Sequence, residues 1–136
     1  MSNIHTTLFD YINESNRNKI VYHGSPIAGL QKLVPRTNKV YSIPPSIFLT
    51  NKKKVAKNYG NNIYKCVLSY TNPLVIDVEN ASFHEYHRFE KEIYSAYDDG
   101  HDCVIFRNIM DSQEPGDIVP ISDVYVVFSS DSVNII

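Results

Sequence analysis

The stretch that decides the fold is Lys19-Ile20-Val21-Tyr22-His23-Gly24-Ser25-Pro26. Its run of β-branched and aromatic residues, from Ile20 to Tyr22, predicts a buried β-strand because such side chains favour a pleated, packed surface. The Gly-Ser-Pro sequence that follows predicts a turn. The strand therefore ends in a histidine and a glycine, so that a polar side chain lies next to a residue that has no side chain.

A second informative stretch is Phe-Leu-Thr-Asn-Lys-Lys-Lys-Val-Ala-Lys-Asn-Tyr-Gly, residues 48–60. The apolar pair Phe48-Leu49 predicts the end of another strand, and the lysine-rich segment after it predicts a short helix that ends at Tyr59 and Gly60. Two strands of one sheet bring their ends close together. We therefore predict that His23 and the aromatic ring of Tyr59 face one cleft.

The rest of the chain alternates strand and turn signals. Apolar and polar residues alternate from Tyr64 to Tyr70, which is typical of a half-buried strand, and Asn72-Pro73 interrupts this pattern before an apolar run over 74–78. Two further β-rich runs occupy 104–106 and 124–128. These patterns predict a sheet built mainly from neighbouring antiparallel strands.

Two helices are also predicted. Residues 1–18 have apolar side chains at helical spacing and are expected to form an appended N-terminal helix. Ser82 and Glu85 have the spacing of a capping box and predict a helix that runs to Gly100. Residues 19–136 form the main domain, for which we expect an α+β fold with two facing, mainly antiparallel sheets and flanking helices.

The order and spacing of these motifs resemble the ADP-ribosyltransferase superfamily, in particular the small phage and mobile-element domains of the polyvalent-protein type. Poly(ADP-ribose) polymerases and diphtheria-type toxins are more distantly similar. Besides the His-Gly and Tyr motifs, three segments carry the resemblance: residues 64–80, 98–111 and 124–136. The resemblance implies an NAD-dependent transferase with NAD as its co-substrate.

The resemblance also implies roles for individual residues. His23 and Gly24 would hold the ribose and the nicotinamide amide of NAD, and Tyr59 would stack on the nicotinamide ring. Ser25 and Phe48 complete the implied set of NAD-binding residues. The Gly- and Pro-containing passage that ends at residue 45 would shape the rim above NAD.

One position departs from the family pattern. Family members place a catalytic Glu, or Gln in some phage proteins, just after the closing Val-Phe strand, whereas this chain has Ser132 there, preceded by Asp131. Breaking the nicotinamide–ribose bond builds positive charge on the ribose, and a carboxylate stabilises such charge. We therefore predict Asp131 as the catalytic carboxylate and Ser132 as a ribose contact. The alternative is an ordinary polar turn in which Asp131 bonds backbone amides.

Three functions stay open from the sequence. The first is a mono-ADP-ribosyltransferase that modifies a protein acceptor, one form of which is a phage-encoded modifier of a host factor. The second is a non-catalytic protein that keeps the fold and binds a partner. The third is NAD-dependent modification of a nucleic acid, although a net charge of −2 and a pI near 6.2 give no global reason to expect nucleic-acid or membrane binding.

Local composition adds three expectations. Lysines at 52, 53, 54 and 57 form a basic run, interpreted as a solvated helix face or as a patch near the NAD phosphates or an acidic target. Cys66 and Cys103 lie in apolar runs and are predicted to be reduced core residues, which indicates a cytoplasmic protein, in the host cytoplasm if phage-encoded. His84 and His87 lack a third ligand at metal-binding spacing, so no metal site is predicted.

Overall fold

The computed structural model describes residues 18–112 and 118–136. Within these ranges the strands are β1 Lys19–Ser25, β2 Ile47–Thr50, β3 Asn62–Leu68, β4 Pro73–Asp77, β5 Cys103–Met110, β6 Ile121–Val127 and β7 Val133–Ile135. The helices are α1 Lys53–Ala56 and α2 Phe89–Asp98, with 3₁₀ turns η1 Lys57–Tyr59 and η2 Ser130–Ser132. None of these helices has the length and apolar character needed to cross a bilayer. The N-terminal helix predicted for 1–18 lies outside the described residues, except for Asn18.

All the described strands join one sheet in the order β4-β5-β6-β2-β1-β3-β7. Among the described strands, only β4 and β5 pair in parallel, so the pairing is mainly antiparallel, as predicted. The expectation of two separate facing sheets is not confirmed. The two halves of the sheet meet between β1 and β2 through one residue pair, Tyr22 and Thr50. Because backbone pairing stops there, a gap opens between β1 and β2 directly after Tyr22.

Both faces of the sheet are covered by apolar side chains. Along β5, Cys103 and Ile105 belong to one buried cluster, whereas Val104 and Phe106 belong to another, as the two-residue period of a strand requires. The first cluster takes residues from β1, β2, β3, β5, β6 and β7 and so links both halves of the sheet. The second includes the buried face of α2. The first cluster therefore anchors β1 through Val21 and β2 through Ile47 and Leu49.

The segment before α2 differs from its prediction. Ser82 and Glu85 do exchange capping-box bonds: the Glu85 N–H donates to Ser82 Oγ at 3.2 Å, and the Ser82 N–H donates to Glu85 Oε1 at 3.0 Å. The helix nevertheless begins only at Phe89. Backbone contact of residues 81–82 with Met110 ties this turn to the end of β5, and the Phe83 ring packs against Phe89, the first residue of α2. These tertiary contacts override the local helix signal.

The two cysteines are core residues, as predicted. Cys66 on β3 and Cys103 at the start of β5 are free thiols with no exposed surface. Burial raises the pKa of Cys66 to about 11, so its thiol stays protonated and unreactive at neutral pH. The cysteines therefore contribute packing rather than chemistry.

Candidate active site

Two glycines allow the segment that carries Tyr59 to pack against the end of β1. A Cβ atom on Gly24 would lie 1.8 Å from the carbonyl oxygen of Ala56, and one on Gly60 would lie 2.1 Å from the carbonyl carbon of Ser25. No other residue type fits at these two positions without moving backbone. As a result, α1 and η1 lie directly on the His-Gly end of β1, and Tyr59 stands beside Gly24.

His23 bridges the gap between β1 and β2. Its Nδ1 lies 2.8 Å from the carbonyl oxygen of Phe48, and because a carbonyl only accepts, Nδ1 carries the hydrogen. Burial lowers the pKa of His23, the bond to Phe48 opposes this shift, and the charge of nearby Arg36 lowers the pKa further. The ring is therefore neutral at pH 7, with Nε2 as a bare acceptor suited to a hydroxyl group.

Tyr59 is held at its hydroxyl end by a buried carboxylate. The Tyr59 hydroxyl donates a hydrogen bond to Asp111, which follows β5 and is 3% exposed. Burial raises the pKa of Asp111 to about 6, although the bond from Tyr59 opposes this shift. Burial and the negative charge of Asp111 raise the pKa of Tyr59 above its ordinary value, so the phenol stays protonated. Tyr59 itself is 40% exposed, which leaves part of the ring open for stacking.

A cavity of about 630 Å³ lies next to these residues. All five residues expected to bind NAD line it: His23, Gly24, Ser25, Phe48 and Tyr59. The hydroxyl of Ser25 accepts a hydrogen bond from the Ile27 N–H at 3.0 Å and so shapes the turn at the edge of the cavity. The segment between β1 and β2, residues 26–46, supplies another wall, and it includes the passage predicted to form a rim. The volume is typical of cofactor sites, which span ~300–1,000 Å³.

The charge of the cavity favours an anion. Among the described residues, its lining contains two cations, Lys32 and Arg36, and no carboxylate. The aromatic side chains of Phe48 and Tyr59 offer flat surfaces for a ring. A ligand with a ring at one end, a sugar hydroxyl and a negatively charged group matches these features.

A family model described as ADP-ribosyltransferase in polyvalent proteins matches residues 13–134. The chain belongs to this ADP-ribosyltransferase family. A search among curated proteins finds no match to the chain. Membership confirms the resemblance seen in the sequence and supports ADP-ribosyltransferase activity in general.

The remaining predicted site residues of this ADP-ribosyltransferase lie elsewhere. Asp131 is exposed in η2, and neither it nor Ser132 lines the cavity. The Ser132 carbonyl accepts a bond from the Ser69 N–H at 2.8 Å, just past the end of β3 that pairs with Lys19. Lys19 is four residues from His23, roughly 13 Å along a strand. Asp131 and Ser132 therefore lie at the far end of β1 from His23, and this position does not support the catalytic roles predicted for them. The Asp131 N–H instead donates to Ser129 Oγ at 3.1 Å, which fits a polar turn.

Sequence reasoning missed Asp111. Its only signal is that it directly follows the long apolar strand Cys103–Met110, a place where polar side chains often meet a ligand. Nothing local connects it to Tyr59, 52 residues earlier in the chain. Among the described residues, no three His, Cys, Asp or Glu side chains gather into a group suited to a metal ion.

Proposed function

We propose that this ADP-ribosyltransferase domain binds NAD in the cavity between His23 and Tyr59 and transfers the ADP-ribose group to a protein acceptor. The observation that carries the proposal is the convergence of all five expected NAD-binding residues on one cavity whose described lining holds cations and no carboxylate. The family match gives the reaction class independently of this geometry.

Nicotinamide, its ribose and the diphosphate of NAD each have a counterpart in the cavity. The exposed part of the Tyr59 ring suits stacking on nicotinamide, and the bare Nε2 of His23 suits a ribose hydroxyl. Arg36 and Lys32 provide positive charge for the diphosphate. In the proposed transfer, the bond between ribose and nicotinamide breaks, nicotinamide leaves, and a nucleophile of the acceptor bonds to the ribose carbon and loses its proton. The site residues act by holding nicotinamide, its ribose and the diphosphate in place while this bond breaks.

Incubation with NAD labelled in its adenylate part and with a cell lysate tests the reaction. Label in a protein band that depends on His23 supports the proposal. Label in the nucleic-acid fraction instead would show that the acceptor is a nucleic acid rather than a protein. The exposed lysines at 52, 53 and 54 lie next to the Tyr59 turn and could contact either acceptor, so the fraction that carries the label decides between them.

A second candidate function is a non-catalytic NAD-binding or partner-binding protein of this fold. It is favoured by one observation: the position that carries Glu or Gln in the family holds Ser132, which lies outside the cavity together with Asp131. NAD binding by calorimetry without nicotinamide release over hours, and without any labelled acceptor, would support this function over the first.

We expect Tyr59→Ala to weaken NAD binding about three- to tenfold, because stacking on an aromatic ring is worth ~0.5–1.5 kcal/mol beyond buried area. Isothermal titration calorimetry measures the change. Tyr97→Ala is the matched control, since its ring is half exposed and packs on Phe128 at a centroid distance of 5.2 Å, outside the cavity. Unchanged affinity in a folded Tyr59→Ala variant would remove Tyr59 from the site.

We expect Asp131→Asn to change turnover by no more than about twofold, because substitutions at exposed positions away from a site usually have small effects. Nicotinamide release measures turnover. Should Asp131→Asn instead lose about a hundredfold in rate with NAD affinity intact, the catalytic role predicted from the sequence would be restored. Ser132→Ala, measured alongside, tests whether that role belongs to the neighbouring residue.

The cellular setting is part of the proposal. A cytoplasmic location rests on the two free, buried thiols, and the phage origin of the protein rests on the resemblance to phage domains. Detection of the labelled acceptor in host cytoplasm after expression of the protein tests both points together with the reaction.

A further inference from the structure

Asp111 is a buried acid that the proposed reaction does not yet use. It is 3% exposed, and its carboxylate accepts the hydrogen bond of the Tyr59 hydroxyl. A charged group in such a place loses favourable contact with water and is retained only where a partner or a function compensates. The partner here is a side chain of the proposed NAD site.

Packing beside Gly24 holds the base of the Tyr59 side chain. Tyr59 is the last residue of the short turn η1 and belongs to neither buried apolar cluster. The bond to Asp111 therefore links the outer end of the ring to β5, a different element of the fold. A ring held at both its Cβ and its hydroxyl has little freedom left to lose when a ligand stacks on it.

We propose that Asp111 is a positioning residue whose carboxylate holds the Tyr59 ring as a preformed stacking plane for the nicotinamide ring. This inference rests on the proposed function, because it assigns the partner of Tyr59 within the same site. It goes beyond that function by predicting that the loss of Asp111 damages recognition of nicotinamide selectively and leaves the ADP-ribose part of the site intact.

Two ligands separate these parts of the site. Nicotinamide alone probes the Tyr59 ring, whereas ADP-ribose carries the ribose and diphosphate but no nicotinamide. We expect Asp111→Leu and Tyr59→Phe each to weaken nicotinamide binding measurably, by at most the roughly three- to tenfold that the whole aromatic stack is worth. ADP-ribose affinity should stay within about twofold of the wild type for both variants. Titration calorimetry measures all four values.

A double variant and a conservative variant distinguish positioning from a general structural role. If Asp111 acts through the Tyr59 hydroxyl, Tyr59→Phe with Asp111→Leu should bind nicotinamide no more weakly than either single variant. Asp111→Asn keeps an oxygen acceptor in the same place, so it should recover most of the lost affinity. Asp77→Asn, an exposed acid at the end of β4, is the matched control and should change neither ligand.

The outcomes decide between the claims. A wild-type protein that binds neither nicotinamide nor ADP-ribose overturns the proposed function and this inference together. If the wild type binds both ligands, three results overturn only the positioning role. These are unchanged nicotinamide affinity in folded Asp111→Leu, an equal loss of affinity for nicotinamide and ADP-ribose, and fully additive losses in the double variant. A cavity of about 60 Å³ beside Asp111 gives room for the leucine. Should that variant still fail to fold, Tyr59→Phe and Asp111→Asn carry the same test.

Discussion

The His23→Ala variant should lose about a hundredfold to a thousandfold in the rate of nicotinamide release from NAD, the usual effect of removing one preorganised polar group from an active site. The imidazole has two roles that alanine cannot fill. Nδ1 holds β1 to the carbonyl of Phe48 at 2.8 Å, and the unprotonated Nε2 is the acceptor offered to the ribose hydroxyl. Both roles depend on hydrogen-bond geometry rather than on charge.

His101→Ala is the matched control for this prediction. The Nδ1 atom of His101 also lies near a backbone carbonyl, that of Asn72 at 3.1 Å, but His101 does not line the cavity. Its loss should leave turnover unchanged. A folded His23→Ala protein with wild-type turnover would exclude His23 from the reaction, whatever the effect on stability.

The pH dependence follows from the direction of the His23 pKa. Because burial lowers that pKa from 6.5, the ring stays neutral as the pH falls to this value, and turnover should show no limb there that depends on His23. Protonation below that range turns Nε2 into a donor and removes the acceptor. Asp111, with a pKa of about 6, also titrates in this range. An acid limb near pH 6 that persists in His23→Gln and disappears in Asp111→Asn therefore belongs to Asp111.

The Gly24→Ala variant should lose measurable NAD binding and about 1–3 kcal/mol of folding free energy, as overpacked sites do. The added methyl group would lie 1.8 Å from the carbonyl oxygen of Ala56 and 3.3 Å from Cβ of Tyr59. Because Ala56 is backbone in α1 rather than the end of a flexible side chain, the whole α1 and η1 segment must move. That shift takes Tyr59 away from His23 and breaks the binding surface.

Urea denaturation and calorimetry measure the two effects of Gly24→Ala. Gly100→Ala is the matched control, since Gly100 has a left-handed φ of 84° but nothing within 4 Å of an added Cβ. It should cost about 1 kcal/mol of stability for the unfavourable backbone and leave NAD affinity unchanged. If Gly24→Ala binds NAD as well as the wild type, the close packing of α1 on β1 is not required for the site.

The sequence by itself determined the parts of the site that local signals describe. A β-rich run followed by Gly-Ser-Pro predicts the strand that presents His23 and Gly24, and a short helix that ends in Tyr-Gly predicts the position of Tyr59. These signals are reliable here because the two-residue strand period and the backbone freedom of glycine act over a few neighbouring residues. The same local logic predicted the buried cysteines and the Ser82–Glu85 bonds.

Only the tertiary structure decided which distant residues meet. The order of strands places Asp111, which follows β5, against Tyr59, and it places η2 beside the end of β3 that pairs with Lys19, away from His23. Contacts of residues 81–82 with Met110 likewise prevent α2 from beginning before Phe89, although Ser82 and Glu85 form their capping bonds. Strand order and packing depend on the burial of the whole apolar surface, so no short segment encodes them. For this reason the sequence assigned the carboxylate of the site to Asp131, whereas the carboxylate that contacts Tyr59 in the fold is Asp111.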